Sequence, residues 1–209
     1  YCLPTYILCN GNRYTENTYR EYGIKNIRAF STGIDHDFFA PQFENRGKNK
    51  IRFTFTVANL NFRKGFQYVS RAWQQVPQQY QKNIELHLFG KEPYAPDTRA
   101  EFESLLKHQN VIYHGFISNQ DPRYVHEHAI SDAMICPTLA EGQSCTALEG
   151  ISFGLYPIVS PYTGSDFDCP ATLLGENPKL WIDQITEGII YVADHYTEIK
   201  KQAPVIRQF

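Results

Sequence analysis

A chain of 209 residues suffices for one large domain, or one domain with part of another, and for a sizeable buried core. Its 20 basic and 22 acidic side chains are interspersed and leave a formal charge of −2, so no single-signed field draws in DNA, RNA or an anionic membrane. The five cysteines (Cys2, Cys9, Cys136, Cys145 and Cys169) form no CxxC pair, which disfavours a zinc site or a disulfide framework and fits a reducing, cytosolic setting.

The apolar opening YCLPTYILC carries a proline, is too short to span a bilayer and lacks the features of a secretion signal. No Met leads it and the chain stops at VIRQF, so the protein is expected to extend at both ends. From Tyr6 to Phe30 the pattern is strand, helix, strand, expected as the tail of a preceding domain. Residues 1–33 are therefore taken as linker or tail, and 34–209 as a second unit truncated at its C-terminus, with the boundary near Thr32 to Pro41. The basic run from Arg46 to Lys50 is expected to be an exposed loop.

Five short β-rich runs follow: IRFTFTVA at 51–58, IELHLFG at 84–90, NVIYHG at 110–115, DAMICP at 132–137 and YPIVSP at 156–161. Amphipathic segments separate them. Phe66, Val69, Ala72, Trp73 and Val76 recur at helical spacing after Lys64 and Gly65, ending near Pro77. Further helices are expected from Asp97 to His108 with Phe102, Leu105 and Leu106 inward, from Asp121 to Ile130 with Tyr124, Val125 and Ala129, and from Ser144 to Phe153. The tail from Pro178 to Ile199, with apolar positions from Leu180 to Val192, suits one or two more. Strand and helix alternate, which predicts an α/β, Rossmann-like, mostly parallel sheet with helices on both faces, because parallel neighbours need crossovers. Ligands of such sheets sit at the carboxyl ends of the strands, here Asn59–Gly65, Gly90–Pro96, Gly115–Asp121 and Thr138–Ser144.

Familiar phosphate loops are missing. No GxGxxG occurs, and Glu85 stands where a P-loop ending in Gly90-Lys91 needs its first glycine. Helix N-termini remain as anion sites, where free N–H groups and the helix dipole favour negative charge. Lys64 stands at one such start, beside Arg63, with Gly65 allowing close backbone approach; a solvated loop lysine is the plain alternative. Gly142, Gln143 and Ser144 precede another, so the amides of Gln143, Ser144, Cys145 and Thr146 can point into the crevice, while Ser144 equally suits an ordinary N-cap. Glu141 and Glu149 are carboxylate acceptors suited to the vicinal hydroxyls of a sugar or ribose. His126 and His128 point to different helix faces, and His87, His114 and His128 read as packed side chains rather than metal ligands.

In order along the chain, YREYGIKNIRAFSTGIDHDFFAP, VANLNFRKGF, IELHLFGKEP, NVIYHGFIS and AISDAMICPTLAEGQSCTALEGISFGLYPIVSPYTG resemble the C-terminal half of a retaining GT-B glycosyltransferase. The family is the large group 1, or family 4, type that includes sucrose, mannosyl and bacterial polysaccharide transferases. The last segment is similar to its signature of two Glu bracketing a Gly-rich turn. The resemblance implies that Glu141 faces the donor sugar, Glu149 binds ribose hydroxyls, and Lys64 neutralises the donor diphosphate together with amides from Gly142 to Cys145. It also implies that Phe116 and Ile117 contact the base. The reaction implied is transfer of a sugar from a nucleotide diphosphate to an acceptor hydroxyl with retained configuration, without a metal or other cofactor. The acceptor, a glycan, lipid or small molecule, would bind a separate N-terminal domain that also carries any peripheral membrane contact, so this half alone is expected to be inactive. The family usually has Arg where this chain has Asn59, which supplies no charge; Arg63 can compensate. Asn59 also favours a second possibility, a degenerate, non-catalytic nucleotide-sugar-binding module. An epimerase of the same fold has no specific residue in its support.

Overall fold

The computed structural model describes residues 6–42, 46 and 50–208. Cys2 and residues 47–49 of the basic run lie outside them. At the N-terminal end, β1 (Ile7–Asn10), α1 (Arg13–Glu21) and β2 (Ile27–Phe30) form a parallel two-stranded unit of their own. The Asn12 side chain caps α1 by accepting from the Tyr14 amide.

The main body runs β3 (Ile51–Asn59), α2 (Phe66–Gln75), α3 (Gln78–Gln81), β4 (Ile84–Lys91), α4 (Pro96–Leu105), β5 (Val111–Gly115), α5 (Pro122–Ala129), β6 (Ala133–Cys136), α6 (Cys145–Ser152), β7 (Tyr156–Val159), β8 (Thr172–Leu173), α7 (Trp181–Asp194) and α8 (Tyr196–Ile206). The sheet order is β5-β4-β3-β6-β7-β8, and every pairing is parallel. The chain lays strands outward from β3 to β5, then returns to the other side of β3 for β6. Strand order therefore reverses between β3 and β6, and the crevice above that point is where an open parallel sheet takes its ligand.

Strands buried on both faces need near-continuous apolar runs, and β3 and β4 supply them: Phe53, Phe55, Ile84, Leu86 and Leu88 are all essentially inaccessible. α2 lays Phe66, Val69, Ala72 and Trp73 onto this sheet, and Trp73 meets Phe53 edge-on with ring centroids 5.8 Å apart. Each such Phe, Leu, Ile or Val side chain stabilises the fold by about 1.5–3 kcal/mol through burial.

Two expectations need correction. Leu106 is 37% exposed, because α4 ends at Leu105 and the chain turns away at Leu106. Arg46 is not in an exposed loop; it is buried and donates to the carbonyls of Ala129 (3.2 Å), Gly154 (3.0 Å) and Phe153. Those carbonyls lie at the C-terminal ends of α5 and α6, where orphaned acceptors and the negative dipole ends attract a guanidinium. Burial lowers the pKa of Arg46 to about 10, and the nearby Asp132 opposes that shift.

Candidate functional site

At the switch point, the loop after β3 and the loop after β6 are pressed together. Gly65 has φ +80° and caps α2; a Cβ there would sit 2.1 Å from the Pro137 carbonyl oxygen, so only glycine fits both the conformation and the approach. The Leu139 amide donates to the Arg63 carbonyl at 2.8 Å, and Arg63 Nη1 donates back to the Ala140 carbonyl at 2.8 Å. This crossing brings Lys64 to Glu141, where Lys64 Nζ donates to Glu141 Oε1. Arg63 Nη1 lies 3.2 Å from the same oxygen. Two residues that sequence reasoning placed separately thus form one charged cluster, with Lys64 and Glu141 both partly buried and Arg63 more than half exposed. A cleft of about 660 Å³ opens beside it, walled by Arg63, Glu141 and Gly142 on one side and by Tyr14, Thr18 and Tyr19 of α1 on the other.

The turn from Gly142 to Ser144 is fixed from outside. Gly164, at φ +71°, crosses it so closely that a Cβ would stand 1.8 Å from the Gly142 carbonyl oxygen. Gln143 does not turn its side chain to the cleft: its Oε1 accepts from the Thr32 amide (2.7 Å) and hydroxyl (2.6 Å), and its Nε2 donates to Ser31. It ties the segment after β2 to the signature turn. Ser144 is the N-cap of α6, with Oγ accepting from the Ala147 amide, and its own amide donates to the Thr163 carbonyl at 2.8 Å. Of the four amides expected to face an anion, that of Ser144 is therefore engaged. Those of Cys145 and Thr146 stand at the accessible start of α6, and Cys145 is exposed.

Glu149 occupies the second turn of α6 and is only 4% exposed. Asn119 Nδ2 donates to its Oε1 at 2.8 Å, and Tyr124 Oη donates to its Oε2. Burial raises the carboxyl's pKa, and the two hydrogen bonds oppose that shift without a cation. Tyr124 stacks on His128 at 3.9 Å, and His128 bonds Thr56 Oγ1 at 2.8 Å. Asn119 and Tyr124 escaped sequence reasoning; Tyr124 stood out only as an inward residue of α5.

Phe116 is 54% exposed just past β5, with Lys91 Nζ 5.4 Å from its ring centroid, while Ile117 packs partly against the core. Asn59 closes β3 as the register partner of Lys91 and is half-buried. Ligand-capable atoms of His87, His114 and Glu127 lie within 4.8 Å of one another. Arg52 Nη1 is 3.1 Å from Glu127, and Lys50 Nζ is 3.1 Å from Glu85 beside His87, so two cations already balance the two carboxylates. Burial pushes His87 down to about 4, and its Nδ1 lies 2.9 Å from His114 Nε2. His87 and His128 are buried and His114 is partly buried.

The fold is similar to that of GT-B glycosyltransferases of known structure. Anabaena HepE, solved with UDP and glucose, superposes with a TM-score of 0.78 over 99% of this chain at 13% identity. WaaG, a glycosyltransferase involved in lipopolysaccharide biosynthesis, gives 0.75 over 96% at 17% identity. This chain spans only 58% and 57% of those two proteins. The separately solved C-terminal domain of LpcC from Francisella tularensis is 95% covered, with a TM-score of 0.70 over 84% of this chain at 19% identity. No curated protein sequence matches. The model of the glycosyl transferases group 1 family matches residues 38–166, more than half of the sequence and all of the Lys64–Glu149 site. The chain belongs to the glycosyl transferases group 1 family.

Proposed function

We propose that this chain is the donor-binding domain of a retaining glycosyltransferase that moves a sugar from a nucleotide diphosphate to an acceptor hydroxyl. The observation that carries this is the convergence of Lys64, Glu141 and the α6 N-terminus on the switch point between β3 and β6. A diphosphate entering the crevice competes with Glu141 for the Lys64 ammonium. Released from the lysine, Glu141 is free to face the donor sugar.

As the bond between the anomeric carbon and the diphosphate oxygen breaks, negative charge grows on the departing diphosphate. Lys64, Arg63 and the amides of Cys145 and Thr146 are fixed around that position and stabilise the charge without reorganising, so no metal ion is required for that role. Glu149 lies farther along α6 and accepts from the ribose hydroxyls, while Phe116 and Ile117 flank the base. The acceptor and the rest of the cleft belong to a preceding domain, of which residues 1–33 are the tail, and the domain proper spans 34–209. By itself the chain binds donor without turnover. The HepE complex with UDP and glucose supports a nucleotide-sugar ligand for this fold. The unpaired Cys9, Cys136, Cys145 and Cys169 support a reducing, cytosolic location. No helix among the described residues is long and apolar enough to cross a membrane. Any peripheral membrane contact is assigned to the preceding domain.

Asn59 favours one competing assignment, a nucleotide-sugar-binding module that has lost catalysis. Calorimetric titration with UDP, GDP and ADP tests the donor site: one diphosphate should bind saturably, and Lys64→Ala and Glu149→Ala should each weaken it at least tenfold. Absence of binding by all three, in the protein including any preceding domain, would sink the proposal. Retained glycosyl transfer after loss of Glu141 would remove its catalytic part.

A further inference from the structure

Glu149 is a buried carboxylate with two neutral donors, and the two donors are unlike. Tyr124 is 2% exposed and locked: its ring stacks on His128, whose Nδ1 lies 2.8 Å from the Tyr124 carbonyl oxygen and whose Nε2 meets Thr56. Asn119 is exposed, on the loop between β5 and α5 at the carboxyl edge of the sheet, the same edge as the start of α6. Oε2 of Glu149 therefore faces a rigid interior, and Oε1 faces a loop at the crevice. Leaving a buried carboxylate oxygen unpaired is costly, so a solvent-side donor is needed whenever the crevice is empty.

We propose that Tyr124 is a positioning residue for ribose recognition, holding Glu149 in place, and that Asn119 is an exchangeable cap that a ribose hydroxyl displaces from Oε1. This rests on the donor-site assignment above. A vicinal diol offers two O–H donors, and a carboxylate whose second oxygen is already fixed presents the first in a set orientation. Displacing Asn119 swaps one hydrogen bond for another, so its removal takes away a competitor rather than a contact.

The test is calorimetry of the protein with the ribo and the 2′,3′-dideoxyribo forms of UDP, GDP and ADP, for wild type, Tyr124→Phe and Asn119→Ala. For the ribonucleotide that binds, Tyr124→Phe should weaken affinity about tenfold and leave the dideoxy form within about twofold of wild type. Asn119→Ala, on an exposed loop, should bind the ribonucleotide as tightly as wild type or up to several-fold tighter. Equal weakening of both forms by Tyr124→Phe, or no weakening of either, would overturn the positioning role. Weaker ribonucleotide binding in Asn119→Ala would overturn the exchange. If wild type binds none of the diphosphates, the donor-site assignment itself fails, and the clamp with it.

Discussion

Glu141 and Glu149 flank the same turn, eight positions apart, yet they live in opposite surroundings. Glu141 sits at the mouth of the crevice and is met by two cations, Lys64 and Arg63. Glu149 lies inside, met by a phenol and an amide, with a wall of aromatic and histidine rings behind it. The difference is chemical as well as positional. A cation pair at a cleft mouth can be handed over to an incoming anion, whereas a carboxylate fixed by neutral donors is built to stay in place and accept. On the proposed assignment, one face of the turn serves charge that moves and the other serves hydroxyls that must be oriented.

The sharpest way to break this contrast is to neutralise each carboxylate in turn. In the enzyme that carries this domain, Glu141→Gln should lower kcat by about 10²–10³-fold, the range seen when one electrostatic contact to a reacting group is lost, while donor affinity holds or rises because the competitor for Lys64 is gone. Glu149→Gln should act mainly on donor binding. Turnover assays with separate kcat and KM would read both, and equal behaviour of the two variants would contradict the assignment.

Acid probes the interior face. His128 is held down to about 3 and His87 to about 4, mainly by burial, whereas an unfolded chain titrates them near ~6.5. Between those values the unfolded state binds more protons, so stability is intact above about pH 6.5 and falls as pH drops toward 4. His87 alone contributes ~3 kcal/mol to that fall. Asp132 and Glu149, whose pKa values burial raises, work the other way in the acid range and offset part of it. Thermal melts at pH 7 and 4.5 should show a clearly lower midpoint in acid, and an unchanged midpoint would contradict the desolvated stack.

Salt probes the mouth. Lys64→Ala should weaken nucleoside diphosphate binding about 10- to 100-fold, the cost of removing one charge-assisted contact. Raising salt from about 50 to 500 mM should weaken wild-type binding by a smaller, several-fold factor, because the Debye length shrinks below the spacing of exposed charges. The affinity ratio between ribose and dideoxyribose forms should hardly move with salt. A ratio that collapses would place the ribose hydroxyls within the charged cluster instead.

Much of this arrangement was legible in the sequence where local pattern decides structure. The five strands β3 to β7, the start of α2 after Lys64-Gly65 and the Ser144 N-cap follow from periodicity and capping chemistry, and the crevice follows from the parallel topology. What escaped was set by distant partners. Arg46 reads as a solvated loop cation until two helix ends present their carbonyls to it. Gln143 reads as a cleft residue until Ser31 and Thr32 claim its side chain. β8 has two residues and α3 four, too few to carry a period. Asn119 and Tyr124 meet Glu149 only across the sheet edge, and nothing in their own segments marks them.

The most direct test is an amide chemical-shift map of the isotope-labelled 24.2 kDa chain, titrated with the nucleoside diphosphate that binds. The account predicts that the largest shifts fall on Gly65, Cys145, Thr146 and Asn119, around the β3–β6 switch point. Shifts centred instead on Asn12, Ser165, Asp166 and Glu176, which line a separate cavity of about 500 Å³, would contradict it.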